Sequence, residues 1–519
     1  MGHRSDLRLV TGLLCVIGAP MLPAAWATPP VFNAAEVAPF FEAMVTRRVS
    51  IDSVGDSNHH GVLQSGNPAR GYYEALGEVL VNRGFTWYGP AGQSCGRGTK
   101  MAFGAAPTKG VQEATASQLP AGLQTLMDDT SKATALRSTL ADPFGGAGPS
   151  RGIEVTRSGF FDVGASYTAT GLFGGYPLGQ GGGDFSYAIY EDTSGPVVTS
   201  SPLISNELGA WAVLSPAPVT GVLATGVSSL RVGHSASTPD HVAFYMGMSR
   251  DDLTEGFTLS TFWAEGGAGV STQGGAGQSW TDFLTGVSLP ALELYLRALV
   301  EHQNDTHKLL LLNVPIGMND RTTDPAVWEA DLTTCLSTYE SAFTSMLASQ
   351  GWTGELYVLL WPGPHERLVD GAYIFDLRDR ARTVASNRVR TAVIDTGLLG
   401  VNPTWLMNEP GLSFAGTASA AHLRNEGYYA VIWVGIEALL EAIGLECLDV
   451  VGGVCPNTVP PAACNVDIDN DGAQTIEDLY AAHQIGADHN CDSALDALDQ
   501  ASVARALRAA EWTDVSAGR

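Results

Sequence analysis

The chain has 519 residues, 45% hydrophobic and 16% charged, with 60 glycines; this excludes disorder and a coiled coil and describes a loop-rich globular protein. A formal net charge of −26 opposes nucleic acid and anionic membranes as partners, while leaving neutral polysaccharide and bound metal compatible with the surface. The length is enough for roughly three domains.

The amino terminus reads as a secretory signal over 1–27. Arg4 and Arg8 give the positive start, Leu9 to Leu22 the apolar run, and Ala25-Trp26-Ala27 the cleavage site. Pro20 and Pro23 break a run already too short to span a bilayer, and no later segment is apolar for long enough. The expectation is a secreted or cell-surface protein cleaved after Ala27. Loss of Cys15 leaves Cys95, Cys335, Cys447, Cys455, Cys464 and Cys491, and an even count in an exported chain suggests disulfides whose pairing stays open.

Residues 28–95 predict a helix, a strand over 48–54, a turn at Gly55-Asp56-Ser57 and an amphipathic helix near 70–84. Residues 96–255 change character. A polar helical stretch (111–140) precedes short alternating runs such as "FSYAIYED", "GAWAVLS" and "HVAFYMGMS", cut by Gly and Pro, which predict a mostly β insert of sandwich type. Strand–helix alternation returns over 256–445. "FTLSTFWAEGG", "KLLLLNVPIG", "GELYVLLWPGP" and "RTAVIDTG" read as strands, with helices at 288–303, 325–350, 372–391 and 421–442. Apolar strands separated by helices of this length imply an α/β unit, a parallel sheet covered on both faces. A Pro/Gly linker (446–463) then leads to a small unit at 464–512.

Four stretches stand at the carboxyl ends of predicted strands or open the last helix: Gly55-Asp56-Ser57, "AEGGAG" (264–269), "PIGMNDR" (315–321) and "ASAAHLRNEGY" (418–428). Ligands of open α/β sheets bind at that edge. In this order the four resemble the Ser, Gly, Asn and His blocks of the SGNH (GDSL-type) hydrolase family, over about 50–95 and 255–440. The resemblance implies a flavodoxin-like parallel sheet interrupted by the β-rich insert, and a serine esterase. It assigns Ser57 as nucleophile and His422 as the base that returns the proton to the leaving alcohol. The oxyanion would meet the backbone N–H of Ser57, that of Gly267, and the side-chain amide of Asn319, with Gly266 the competing glycine. The family usually carries an aspartate three residues before the histidine; here that position is Ser419. Ser419 can orient the ring but supplies no charge, so a backbone carbonyl or an acid such as Glu409 or Glu426 would have to serve, or activity is reduced. His59, His60 and His365 are expected at the rim of the pocket.

The tail carries two copies of a twelve-residue oxygen-rich loop. In the first, Asp467, Asp469, Asp471, Ala473, Thr475 and Asp478 occupy positions 1, 3, 5, 7, 9 and 12, with Gly472 at the sharp turn. In the second, Asp488, Asn490, Asp492, Asp496 and Asp499 repeat the pattern, and Ser493 replaces the glycine. Helical runs follow both. The pair resembles a type I dockerin, which implies a small α-helical domain, structural Ca²⁺ and a cohesin-type or cell-surface scaffold partner. The combined expectation is a secreted esterase that removes O-acetyl groups from carbohydrate without a catalytic cofactor. The rivals are a weak or inactive carbohydrate-binding scaffold, a lipase or arylesterase, and an acyltransferase.

Overall fold

The strand His307–Val314 explains the central layer. Leu309 and Leu311 point into one hydrophobic cluster, and Leu310, Leu312 and Val314 into another, so both faces of the strand are buried. The computed structural model describes residues 29–60, 71–93, 112–113, 136–137, 152–158, 164–179, 184–191, 196–224, 227–234, 242–261, 263–265, 269–271, 279–365, 371–399, 401, 422–423 and 425–445. Helices Ala38–Met44, Tyr72–Asn82 and Asn425–Ile443 cover the first face. Helices Trp280–Gly286, Leu289–Val300, Pro325–Gln350 and Gly371–Ser386 cover the second.

Six strands run parallel in the order Thr391–Ile394, Thr353–Leu360, His307–Val314, Arg48–Ser53, Gly256–Thr261 and Trp87–Gln93. Val31–Phe32 adds antiparallel at one end. At the other, Val242–Arg250 pairs antiparallel with Trp87–Gln93 and passes the sheet on to Ser166–Pro177. The result is one mixed sheet of fourteen strands. A second, five-stranded sheet built on Gly152–Ser158, Asp184–Glu191 and Val227–His234 lies against its far part. Tyr167, Phe173, Tyr187, Ile189, Leu230, Val232 and Met246 fill the space between the two, as in a β-sandwich.

This corrects the expected fold class. The sheet is not a flavodoxin-like parallel sheet interrupted by a separate insert, but a mixed sheet that continues into a strand-rich sandwich. The physical reason is the outer edge of Trp87–Gln93, whose backbone groups would otherwise stand unpaired; the Val242–Arg250 strand occupies it. Of the stretch 111–140, expected to be helical, the described residues form two short strands, Gln112–Glu113 and Leu136–Arg137, which pair with each other.

The helix expected over 325–350 spans Pro325–Gln350. Asp324 caps the long helix by accepting from the Ala326 N–H at 2.7 Å, Pro325 occupies its first turn, and Gly351 ends it at φ 67°. The last helix begins at Asn425, so His422 precedes it rather than standing in its first turn. Cys335 is a buried free thiol bonded to the Thr281 hydroxyl at 3.4 Å, and so takes no part in a disulfide. Cys95, Cys447, Cys455, Cys464 and Cys491, residues 1–27 and the tail lie outside the described residues. Among the described residues no single helix is long and apolar enough to cross a membrane.

Candidate functional site

The strand Arg48–Ser53 lies between His307–Val314 and Gly256–Thr261 in the sheet, and its continuation carries the serine block. Val54 N–H donates to Asn313 at 2.9 Å, and Gly55-Asp56 forms a short parallel ladder with Ala264-Glu265, so two of the four blocks are hydrogen-bonded to each other. Glycine is required at 55: a Cβ there would stand 2.5 Å from the His59 Cβ. Ser57 then opens the helical turn Ser57–His60.

Asp56, 2% exposed, organises what surrounds it. Its Oδ1 accepts from the Asn58 N–H at 2.8 Å and from the Asn58 amide at 3.2 Å. Its Oδ2 accepts from the Asn319 side-chain amide at 3.1 Å, which fixes the plane of that amide beside the serine turn. The third block is therefore joined to the first. The last helix joins through Tyr428, whose hydroxyl donates to Asn58 Oδ1 at 2.8 Å. His422, half-buried, lies six residues before Tyr428.

Aromatic groups close the junction beneath. Tyr428 meets Tyr72 edge to face with ring centroids 5.0 Å apart, and the Tyr72 hydroxyl shares a hydrogen bond with Nδ1 of buried His365. Burial raises the Tyr72 pKa, with Tyr428 and Asp56 adding to it. Burial likewise raises that of Tyr428, against a backbone hydrogen bond from Leu423 and with Asp56. Both hydroxyls therefore stay neutral. His59 is buried against Tyr73, ring centroids 5.4 Å apart, which makes it a packed residue rather than a rim residue. Val54 shares its hydrophobic cluster with Trp263, Val270 and Trp280, and with Tyr176 of the strand-rich part. Tyr176 in turn holds the half-buried Trp211 at 5.2 Å.

The structure thus brings together the Ser57 turn, Ala264-Glu265, Asn319 and the helix behind His422. Gly266, Gly267, Ser419 and Glu409 lie outside the described residues, as do the side chains of Ser57, His60 and Glu426 and the whole run from Asp467 to Asp499. Among the described residues no group of three or more His, Cys, Asp or Glu could hold a metal ion. Chemically, the junction offers a serine at a strand end, an oriented amide donor and buried neutral hydroxyls around them, with half-buried His422 ahead of the helix that joins through Tyr428. Sequence reasoning passed over Asp56, Asn58, Tyr72, Tyr428 and Asp320 as site residues. Asp320 was the most legible of these, since it stands next to Asn319 in "GMND".

No family model matches the chain, and no curated protein matches it. Among solved structures, the protein YXIM of Bacillus subtilis is similar over 69% of this chain and 99% of its own, at 12% identity and a TM-score of 0.27. The CBM22-1 xylan-binding domain of Paenibacillus barcinonensis Xyn10C is similar over 32% of this chain and 97% of its own, at 10% identity and a TM-score of 0.22. A carbohydrate-binding module of Cellvibrio mixtus lichenase 5A, in complex with cellotriose, is similar over 28% and 91% respectively, at 12% identity and a TM-score of 0.17. At TM-scores this low, these likenesses establish neither fold nor function for this chain.

Proposed function

We propose that the chain is a serine-dependent carboxylic ester hydrolase of SGNH type that removes acyl groups, acetyl first among them, from a carbohydrate. The observation that supports this most is the joining of the serine and asparagine blocks through one carboxylate: Asp56 precedes Ser57 and accepts from the Asn319 amide at 3.1 Å. In this reading Ser57 Oγ attacks the ester carbonyl carbon while His422 takes its proton. The developing oxyanion is met by the Ser57 N–H, the Gly267 N–H and the Asn319 amide. The bond to the sugar oxygen breaks as His422 returns the proton to it. Water then cleaves the acyl-enzyme with the same histidine as base, which restores Ser57 and frees the acid.

The carbohydrate part of the proposal draws on the half-buried Trp211 on Tyr176, near the serine strand, and on the dockerin-like repeats. Those repeats offer hard oxygen donors suited to Ca²⁺, and a cohesin-type scaffold would be their partner. Chelation should then unfold the tail and leave hydrolysis intact. Secretion after cleavage at Ala27 belongs to the same proposal.

A second reading, a carbohydrate-binding protein on an inactive scaffold, is favoured by Ser419, which stands where the family usually places an aspartate. Incubation with p-nitrophenyl acetate, butyrate and octanoate, beside Ser57→Ala, separates the two. Hydrolysis lost in the variant, with acetate the best substrate, supports the esterase. Preference for octanoate moves the reading to a lipase, and equal turnover by the variant removes the serine mechanism.

A further inference from the structure

Asp320 follows Asn319 in the 3-10 turn Met318–Asp320, beyond the central strand His307–Val314, and is fully buried. Its carboxylate is divided between two backbone amides. Oδ2 accepts from the Val270 N–H at 2.9 Å, and Oδ1 from the Ser271 N–H at 3.0 Å. A Cβ on Gly269 would overlap both carboxylate oxygens, so the chain can close on Asp320 only because residue 269 is glycine. On its other side the same stretch is tied to the serine strand, through the ladder of Ala264-Glu265 with Gly55-Asp56. The glycine block is therefore held at both ends, by the strand that carries Ser57 and by the turn that carries Asn319.

We propose that Asp320 is a positioning residue, which acts through the backbone of residues 269–271 to set the glycine block against Ser57 and Asn319. The proposal rests on the hydrolase reading above, in which an N–H of that block meets the oxyanion. Its chemistry asks for an ionised carboxylate, since each oxygen accepts from one N–H and a proton on either would weaken that bond. Burial raises the pKa of Asp320 to about 6, with Asp331 adding to it, while the Ser271 and Val270 N–H groups and the Trp328 indole pull it down. Asp282, Asp331 and Asp320 together also act on the buried Cys335 thiol, which burial pushes up to about 12.

The test uses the full chain with p-nitrophenyl acetate, comparing wild type, D320N and G269A. D320N keeps the shape but turns an N–H donor toward one of the two amides. The expected result is a fall in kcat of about 10²-fold, the size of one misplaced oxyanion donor, with KM changed by less than about threefold. Hydrogen exchange at Val270 and Ser271 should accelerate in D320N. The acid limb of the wild-type kcat profile should be steeper than that of D320N, which lacks the Asp320 proton. If D320N fails to fold, G269A carries the test, because its carboxylate is intact and only its approach is blocked; the same loss of kcat is expected. A folded variant with wild-type kcat, or one that loses kcat with an unchanged acid limb and protected amides, overturns the positioning role alone. A wild type without Ser57-dependent turnover overturns the hydrolase reading, and this inference with it.

Discussion

Asp52 and Asp56 lie on one continuous run of chain and are both buried, yet they do different work. Asp52 is inside the sheet and accepts from the hydroxyls of Tyr295, at 2.6 Å, and Tyr339. Both donors stand on helices that cover the second face. Burial and the Asp52 charge raise the pKa of each tyrosine, so both remain donors. Asp56 lies past the strand end, and its donors, Asn58 and Asn319, belong to turns. A buried carboxylate in the sheet interior ties layers together, whereas one at the carboxyl edge orients groups that can reach a ligand.

Breaking the interior carboxylate should have the largest effect. Asp52→Ala strands two buried hydroxyls, and a loss of about 2–6 kcal/mol is expected in urea unfolding, at roughly 1–3 kcal/mol for each unsatisfied group. Esterase activity per folded molecule should be unchanged. The mirror result is expected at the edge: Asp56→Asn should lower kcat about 10²–10³-fold, through a mis-set Asn319 amide, at a smaller cost in stability.

Asp320 sharpens the comparison because stability and activity should respond to it in opposite directions. Its folded pKa of about 6 stands above the ordinary value of 3.8. The fold therefore favours the protonated form: that stabilisation is complete below the ordinary value and is lost as pH rises through about 6. Denaturation midpoints between pH 4 and 7 should fall for wild type relative to D320N, while wild-type kcat rises over the same window. The smallest effect is expected from Tyr428→Phe, which removes one hydrogen bond to Asn58 and should cost about 1 kcal/mol by the same unfolding assay.

Local signals made much of this legible. The run "KLLLLNV" is apolar from its lysine up to its asparagine, which announced a strand buried on both sides, and the helix expected over 325–350 is Pro325–Gln350. The pairing of Val242–Arg250 with Trp87–Gln93 was not legible, since nothing in either strand specifies a partner so distant in sequence. That one pairing turns an expected parallel sheet into a mixed one. Cys335 shows the limit of counting: an even number of cysteines says nothing of one sealed among Leu332, Leu336 and Trp328. At the site, the motifs supplied Ser57, Asn319 and His422 as residue types. They could not show that the aspartates beside the first two would bind the blocks together, because the direction of a carboxylate is set by tertiary structure.

The central claim is that Ser57 is a nucleophile. Treating the full chain with a fluorophosphonate and locating the adduct by peptide mass tests it most directly. The account predicts a single phosphonylated residue, Ser57, with labelling abolished in Ser57→Ala and slowed in D320N. Absence of any adduct on folded wild type, or an adduct on another residue that persists in Ser57→Ala, would contradict it.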